Sequence, residues 1–121
     1  MGQHVAILGA SSKKDRYAYK AFSMLKEYGH TPLPVTPKFS EIEGVPAVAT
    51  LKELASPVDT LTMYVGPDIS TKLKSDILSL HPKRVIFNPG SENPALETEL
   101  ENAGIIVVEG CTLVMLRTNQ F

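Results

Sequence analysis

Near the start of the chain, two hydroxyls and three cations follow directly on an apolar run. In His4-Val-Ala-Ile-Leu-Gly-Ala-Ser-Ser-Lys-Lys-Asp-Arg16, Val5 to Leu8 gives way to Gly9 and Ala10. Ser11 and Ser12 come next, then Lys13, Lys14 and Arg16. Small residues at a chain reversal let backbone N–H groups approach an anion, and a helix starting just beyond adds its positive dipole end. Hydroxyls and cations add charge-assisted bonds, so the chemistry on offer is capture of a phosphate. An ordinary strand-to-helix turn with a solvated basic loop has a similar composition, and this stretch alone leaves both readings open.

Residues suited to catalysis are scattered. His4 begins a strand, His30 follows a helix end and His81 closes another, with no HxxxH or CxxC spacing for a metal. Ser11 and Ser12 have no evident base beside them, so phosphate binding explains them more simply than nucleophilic attack. Glu97, Glu99 and Glu101 share a helix expected to be solvated on that side. Cys111 is expected to be a buried packing residue. The expectation is a binding protein without turnover.

The elements that must position the phosphate turn are legible in the pattern. Val5–Leu8 is too short for a helix and reads as a buried strand. Ala18, Ala21, Phe22 and Leu25 form a helical stripe, with Gly29 as its C-terminal stop. Thr31–Val35 reads as a strand kept short or irregular by Pro32 and Pro34. Ala47–Ala49 is expected to be a brief strand, and Thr50-Leu-Lys-Glu53 carries a capping-box pattern. Strands follow at Thr60–Val65, Arg84–Phe87 and Ile105–Val108. Between them, Ser70 is expected to cap one helix carrying Ile69, Leu73, Ile77 and Leu80, and Asn93-Pro94 to start another whose inner side is Leu96, Leu100 and Ala103. Cys111–Leu116 fits a short terminal helix.

Doubly apolar strands alternating with amphipathic helices define an α/β, Rossmann-like, doubly wound parallel sheet of about five strands, with helices on both faces. Ligands of such sheets bind at the carboxyl ends of the strands. Four loops therefore converge: Gly9–Arg16, Pro34–Lys38, Tyr64–Asp68 and Asn88–Ser91.

At 121 residues the chain is read as a single domain, 1–121, large enough to need no disulfide or metal. A net charge of −1 argues against a nucleic-acid surface. One cysteine and no bilayer-length apolar run point to a cytoplasmic protein with no membrane partner. A homodimer or another protein partner stays open.

The choice of nucleotide turns on two positions. A dinucleotide fingerprint needs three glycines, and Gly9 stands alone; it also needs an acidic residue closing the second strand, where Val35 and Thr36 stand with Lys38 beyond. A cation there suits a phosphorylated ribose, as in NADP or coenzyme A. No Walker sequence occurs.

From these residues outward the chain resembles the small single-domain CoA-binding proteins and the N-terminal CoA-binding domain of the succinyl-CoA synthetase α subunit. The likeness runs over about residues 4 to 116, through Val5-Ala-Ile-Leu-Gly-Ala-Ser11, Leu25-Lys-Glu-Tyr-Gly29, Pro34-Val-Thr-Pro37, Ile42-Glu-Gly-Val-Pro46, Leu51-Lys-Glu-Leu54 and Pro57-Val-Asp59. It implies coenzyme A or an acyl-CoA as ligand. Gly9, Ala10, Ser11 and Lys13 would then sit at the pyrophosphate, with Ser12 and Arg16 from the same turn. Thr36, Pro37 and Lys38, following Val35, would line the ribose phosphate, and Val65, Gly66 and Pro67 the adenine. The fourth loop adds Asn88 and Gly90. Thr36 replaces the Asn usual in the small proteins, and Phe87-Asn-Pro-Gly90 stands where a Trp-x-Gln motif is frequent. The synthetase's phosphorylated histidine belongs to a second domain and has no counterpart among His4, His30 and His81. The alternatives are a small NADP-dependent reductase or other nucleotide-binding enzyme, and a ligand-free assembly domain.

Overall fold

The computed structural model describes residues 2–121. Strands β1 (His4–Leu8), β2 (Thr31–Val35), β5 (Thr60–Met63), β6 (Arg84–Phe87) and β7 (Ile106–Glu109) form one parallel sheet in the order β2-β1-β5-β6-β7. In its register Ile7 stands opposite Pro34 on one side and Thr62 on the other. The chain runs from β1 outward to β2, then returns past β1 to β5. That reversal of direction is the switch point of a doubly wound sheet, and it opens a crevice above the carboxyl ends of β2, β1 and β5.

Alternation sorts the strand side chains to two cores. Ala6, Leu8, Leu61, Met63, Val85 and Phe87 pack with Ile77 of α3 (Lys74–Leu80) and with Leu96 and Leu100 of α4 (Pro94–Asn102). Val5 and Ile7 pack on the opposite face with Ala18, Phe22 and Leu25 of α1 (Tyr17–Glu27) and Leu116 of α5 (Thr112–Arg117). Helix α1 ends in a Schellman motif. Gly29, at φ +87°, lets its N–H reach Lys26 O and the His30 N–H reach Leu25 O, at 3.1 and 2.8 Å.

The prolines of β2 cost the sheet nothing. The backbone of residue 34 faces the outer edge, where Pro34 O accepts from Val48 N–H at 3.1 Å, while Val35 O faces β1. Pro32 and Pro34 share that outward parity, so their missing donors remove no ladder bond.

Four sequence expectations need correcting. Residues 47–49 do not form a strand: Val48 makes a single bridge to Val35, and the regular structure before it is a hairpin, β3 (Glu41–Ile42) with β4 (Val45–Pro46). Buried Ile42 anchors that hairpin against α1, a role that local propensity does not reveal. The helix expected from Ser70 is two, α2 (Pro67–Lys72) and α3, broken at Leu73. Gly66 is the N-cap and Pro67 the first helical residue, while Ser70 lies buried in the helix, bonded by Asn93. Ala103 is exposed, so α4 buries Leu96 and Leu100 alone of the three residues expected inside. Asn93 caps α4 as its type suggests, accepting from Leu96 N–H at 3.2 Å. Cys111, expected to be a buried packing residue, is only half-buried, because it stands at the N-cap of α5 rather than within the helix.

At the amino ends of the strands, the Phe121 ring lies 4.9 Å from the His30 ring and 4.5 Å from the Arg84 guanidinium. His30 Nδ1 accepts the Gln3 N–H at 3.0 Å. Burial and the nearby Arg84 charge hold His30 below its ordinary value of 6.5. The unfolded chain therefore takes up the His30 proton more readily. Its contribution to stability is present above the unfolded value and is lost as pH falls through the lower folded one. Denaturant midpoints measured from pH ~7 to ~5 should fall, and His30→Gln, which cannot charge, should flatten that part of the profile. An unchanged profile in His30→Gln would remove His30 from the account.

Candidate functional site

The crevice at the switch point is a cleft of about 710 Å³, within the usual range for small-molecule sites. Its walls come from the ends of β1, β2 and β5 and the N-terminal turn of α1.

The turn after β1 is built differently from a simple amide cradle. Gly9 has φ +90°, and a Cβ there would lie 2.9 Å from Tyr64 O and 2.9 Å from Val65 Cγ1. Glycine is demanded by the neighbouring β5 chain rather than by a ligand. The N–H groups of Gly9 and Ala10 both donate to Val35 O, at 3.0 and 3.3 Å. They are committed to holding β1 against β2, which corrects the expectation that they face a phosphate. Lys13 N–H donates to Ser11 Oγ at 3.0 Å, and Arg16 N–H to Lys13 O at 3.1 Å. The N–H groups of Ser11, Ser12, Lys14 and Asp15 have no partner among the described residues, nor do those of Tyr17 and Ala18 at the start of α1, which no side chain caps. The backbone donors left free therefore lie in this later stretch.

Lys13, Arg16 and Lys38 line the cleft, and none is in an ion pair among the described residues. Asp15, on the same lining, partly offsets them. No acidic residue occupies the first turn of α1 to compete with an anion.

Thr36 shapes the wall after β2. It is buried; its N–H donates to Val48 O at 2.8 Å and its Oγ1 accepts the Lys38 N–H at 3.1 Å. That bond curls Thr36-Pro37-Lys38 over the cleft rim. The hairpin that follows is fastened to α1, where Tyr19 OH donates to Glu43 Oε1 at 2.6 Å. Phe39 and Ala49, flanking the hairpin, both reach the lining. The opposite wall is apolar: Val65 and Gly66, then Ile69 and Leu73 of α2 and its end. Cations thus gather at the α1 and β2 sides, with apolar surface facing them.

Tyr64 also lines the cleft. Its hydroxyl is buried with no hydrogen-bond partner among the described residues, and burial pushes its pKa up to about 12 despite the nearby Thr112 and Thr62 hydroxyls. It stays protonated at neutral pH and offers no ready base.

The lining unites Gly9, Ala10, Ser11, Lys13, Arg16, Val35, Thr36, Pro37, Lys38, Val65 and Gly66 from the residues singled out by sequence. Ser12, Pro67, Asn88 and Gly90 fall outside it. Ile69 and Leu73 read from the sequence as helix interior, and Asp15, Tyr17, Phe39, Ala49 and Tyr64 join the lining without having been singled out. The i, i+4 spacing of Ile69 and Leu73 was the available signal, because a helix beside a crevice shows the same stripe as one over a core.

Asn88 has a different occupation. Its Nδ2 donates to Thr62 Oγ1 at 2.7 Å and to Met63 O at 2.8 Å, and its Oδ1 accepts the Thr112 N–H at 2.9 Å. These bonds tie β5 and the turn after β6 to α5, one strand beyond the switch point. Removing them strands buried polar groups, at roughly 1–3 kcal/mol each. Asn88→Ala should lose at least about 2 kcal/mol in a denaturant titration. Ligand affinity, measured well below its unfolding temperature, should stay within about twofold. A large affinity loss in a fully folded variant would return Asn88 to the site.

Residues 3–117 match the family model described as a CoA binding domain. An uncharacterized protein of known crystal structure is 43% identical, with a TM-score of 0.91 over 100% of this chain and 99% of its own. A Thermus thermophilus protein is 34% identical, with a TM-score of 0.90 over 99% of this chain and 91% of its own. Over 62 residues, half of this chain, the sequence is 36% identical to the Pyrococcus furiosus acetate–CoA ligase (ADP-forming) II subunit alpha, covering 14% of that protein. The Bacillus subtilis uncharacterized protein YneT is 31% identical over 62 residues, 51% of this chain. That match spans 46% of the relative, so the likeness reaches about half its length.

Proposed function

The chain belongs to the CoA binding domain family, and from that membership we propose that it holds coenzyme A or an acyl-CoA in the switch-point cleft as a binding module that does not turn its ligand over. The observation that carries the reading is the division of the cleft. Unpaired amides and free cations stand at the α1 and β2 sides, opposite the apolar wall of Val65, Ile69 and Leu73. A ligand with phosphates at one part and a flat apolar base at another matches that division. Ser11, Lys13, Arg16 and the first turn of α1 would take the pyrophosphate. Val65 and Gly66 would border the adenine.

Non-catalytic binding is favoured by what the lining offers. It contains no histidine or cysteine, and the buried one of its two tyrosines, Tyr64, keeps its proton at neutral pH. A protein that binds without converting suits a sensor or a partner module. Incubation with acyl-CoA, or with NADPH and simple carbonyls, should yield no product above background. Product that scales with protein concentration would place the chain among enzymes.

Lys38 is assigned the ribose phosphate that distinguishes coenzyme A from its dephospho form. Thr36 Oγ1 holds the Lys38 backbone at the rim, and no carboxylate closes β2 to repel a phosphate. A charge-assisted bond is worth on the order of 1.5–3 kcal/mol, or about a tenfold to hundredfold preference for coenzyme A. Exposure of the lysine means that salt narrows the preference. Calorimetric titration of the wild type and Lys38→Ala with both ligands tests it. The ratio should collapse toward one in the variant; equal affinities in the wild type, or an unchanged ratio in the variant, would remove Lys38 from the phosphate.

A further inference from the structure

The two edges of the sheet are treated differently. On β2 the outward backbone positions carry Pro32 and Pro34, and Val48 covers the end. Edge strands left bare invite pairing, and prolines and covering segments prevent it. On β7 nothing comparable is present. Ile106 N–H and Gly110 N–H donate to Lys83 O and Phe87 O of the β6 side, which fixes the parity: residues 106, 108 and 110 face β6. The N–H and C=O groups of Val107 and Glu109 therefore face outward, and no partner for them exists among the described residues. The strand carries no proline, lysine or bulge.

The two flanks of that edge differ in chemistry. On the face shared with α5, Ile106 is 62% exposed. Val108 beside it is half-buried, and both Val108 and Met115 border Gly110, within 3.6 and 3.7 Å of where its Cβ would lie. On the face shared with α4, Glu97 has Glu109 on one side and Glu101, one turn along the helix, on the other, and none of the three is in an ion pair among the described residues. Burial, with the charges of Glu109 and Glu101, holds the Glu97 carboxyl above its ordinary value although the Asn93 N–H opposes the shift. These carboxylates lack a counter-charge that the chain itself supplies.

We propose that β7 is a docking edge for an extended segment of another protein that alternates basic and apolar residues, added to the sheet as a further strand. Successive side chains of a strand point to opposite faces. A segment hydrogen-bonded to Val107 and Glu109 would place every second residue over Glu97, Glu101 and Glu109, and the residues between over Ile106, Val108 and Met115. Main-chain bonds would supply affinity and the alternation specificity. A second copy of this chain fits worse, because antiparallel pairing of β7 with itself brings two acidic flanks together. The edge lies at the side of the sheet away from the cleft, so a segment there leaves the ligand site open.

The test is a fluorescence anisotropy titration of the full chain with a blocked six-residue peptide alternating lysine and valine. Controls are a peptide alternating glutamate and valine, and a block peptide of three lysines then three valines. The alternating basic peptide should bind at least about tenfold more tightly than either control, and more weakly at high salt. Glu109→Pro, which removes an outward N–H, and Ile106→Lys, which charges the apolar flank, should each weaken it at least about fivefold while circular dichroism stays unchanged. Equal binding of the block peptide, absence of binding up to roughly 1 mM, or full affinity in both folded variants would overturn the proposal. So would a stable dimer in sedimentation that Glu109→Pro makes monomeric, since a second copy would then occupy the edge.

Discussion

The carbonyl of Val35 accepts two N–H groups at once, from Gly9 and Ala10, where β1 runs out beside β2. On the other side of the same residue, Gly9 approaches Tyr64 so closely that a Cβ would meet its carbonyl at 2.9 Å. This three-chain junction is where the crevice begins. It pins the ends of β2, β1 and β5 at a common level, so the loops leaving them have to diverge above it. A side chain at Gly9 would wedge β1 from β5, and its left-handed backbone would be strained as well. The cleft rests on a contact made entirely within the protein.

The division of labour in the turn follows from that junction. The first two amides are spent on Val35, and the chain then runs through Ser11 to Arg16 before α1 begins. The long connection leaves donors unpaired, and it brings Lys13 and Arg16 back over the strand ends. On the facing side, Thr36 and the hairpin fastened through Ile42 and the Tyr19–Glu43 bond keep Lys38 at the rim. Farther along the sheet, at β6, the same strand-end position is filled by Asn88, whose bonds to Thr62, Met63 and Thr112 close the sheet against α5. Loops at equivalent ends of parallel strands thus perform opposite tasks, one opening the cleft and the other sealing the sheet against α5.

Much of this was legible in the residues. Short doubly apolar runs at Val5–Leu8 and Arg84–Phe87, the stripe of α1 and the Gly29 stop are local signals, and the structure follows them closely. What escaped were features set by distant partners. The direction of the Gly9 and Ala10 amides depends on Val35, the commitment of Asn88 on Thr62 and Thr112, and the hairpin at Glu41–Pro46 on burial of Ile42 against α1. The break at Leu73 escaped for the converse reason, since the apolar stripe runs through it without interruption. Family membership favours coenzyme A over NADP, the two phosphorylated riboses that Lys38 beyond the second strand suits.

The central claim is that coenzyme A binds over the later part of the turn and leaves the junction and the Asn88 network untouched. The most direct measurement is a ¹H–¹⁵N correlation spectrum of the labelled protein, titrated with coenzyme A. The largest shifts should fall on the N–H groups of Ser11, Ser12, Tyr17, Ala18 and Lys38, with the Asn88 side-chain amide nearly unmoved. A spectrum indifferent to coenzyme A, or one in which the largest shifts centre on Asn88 and Gly90, would contradict the account.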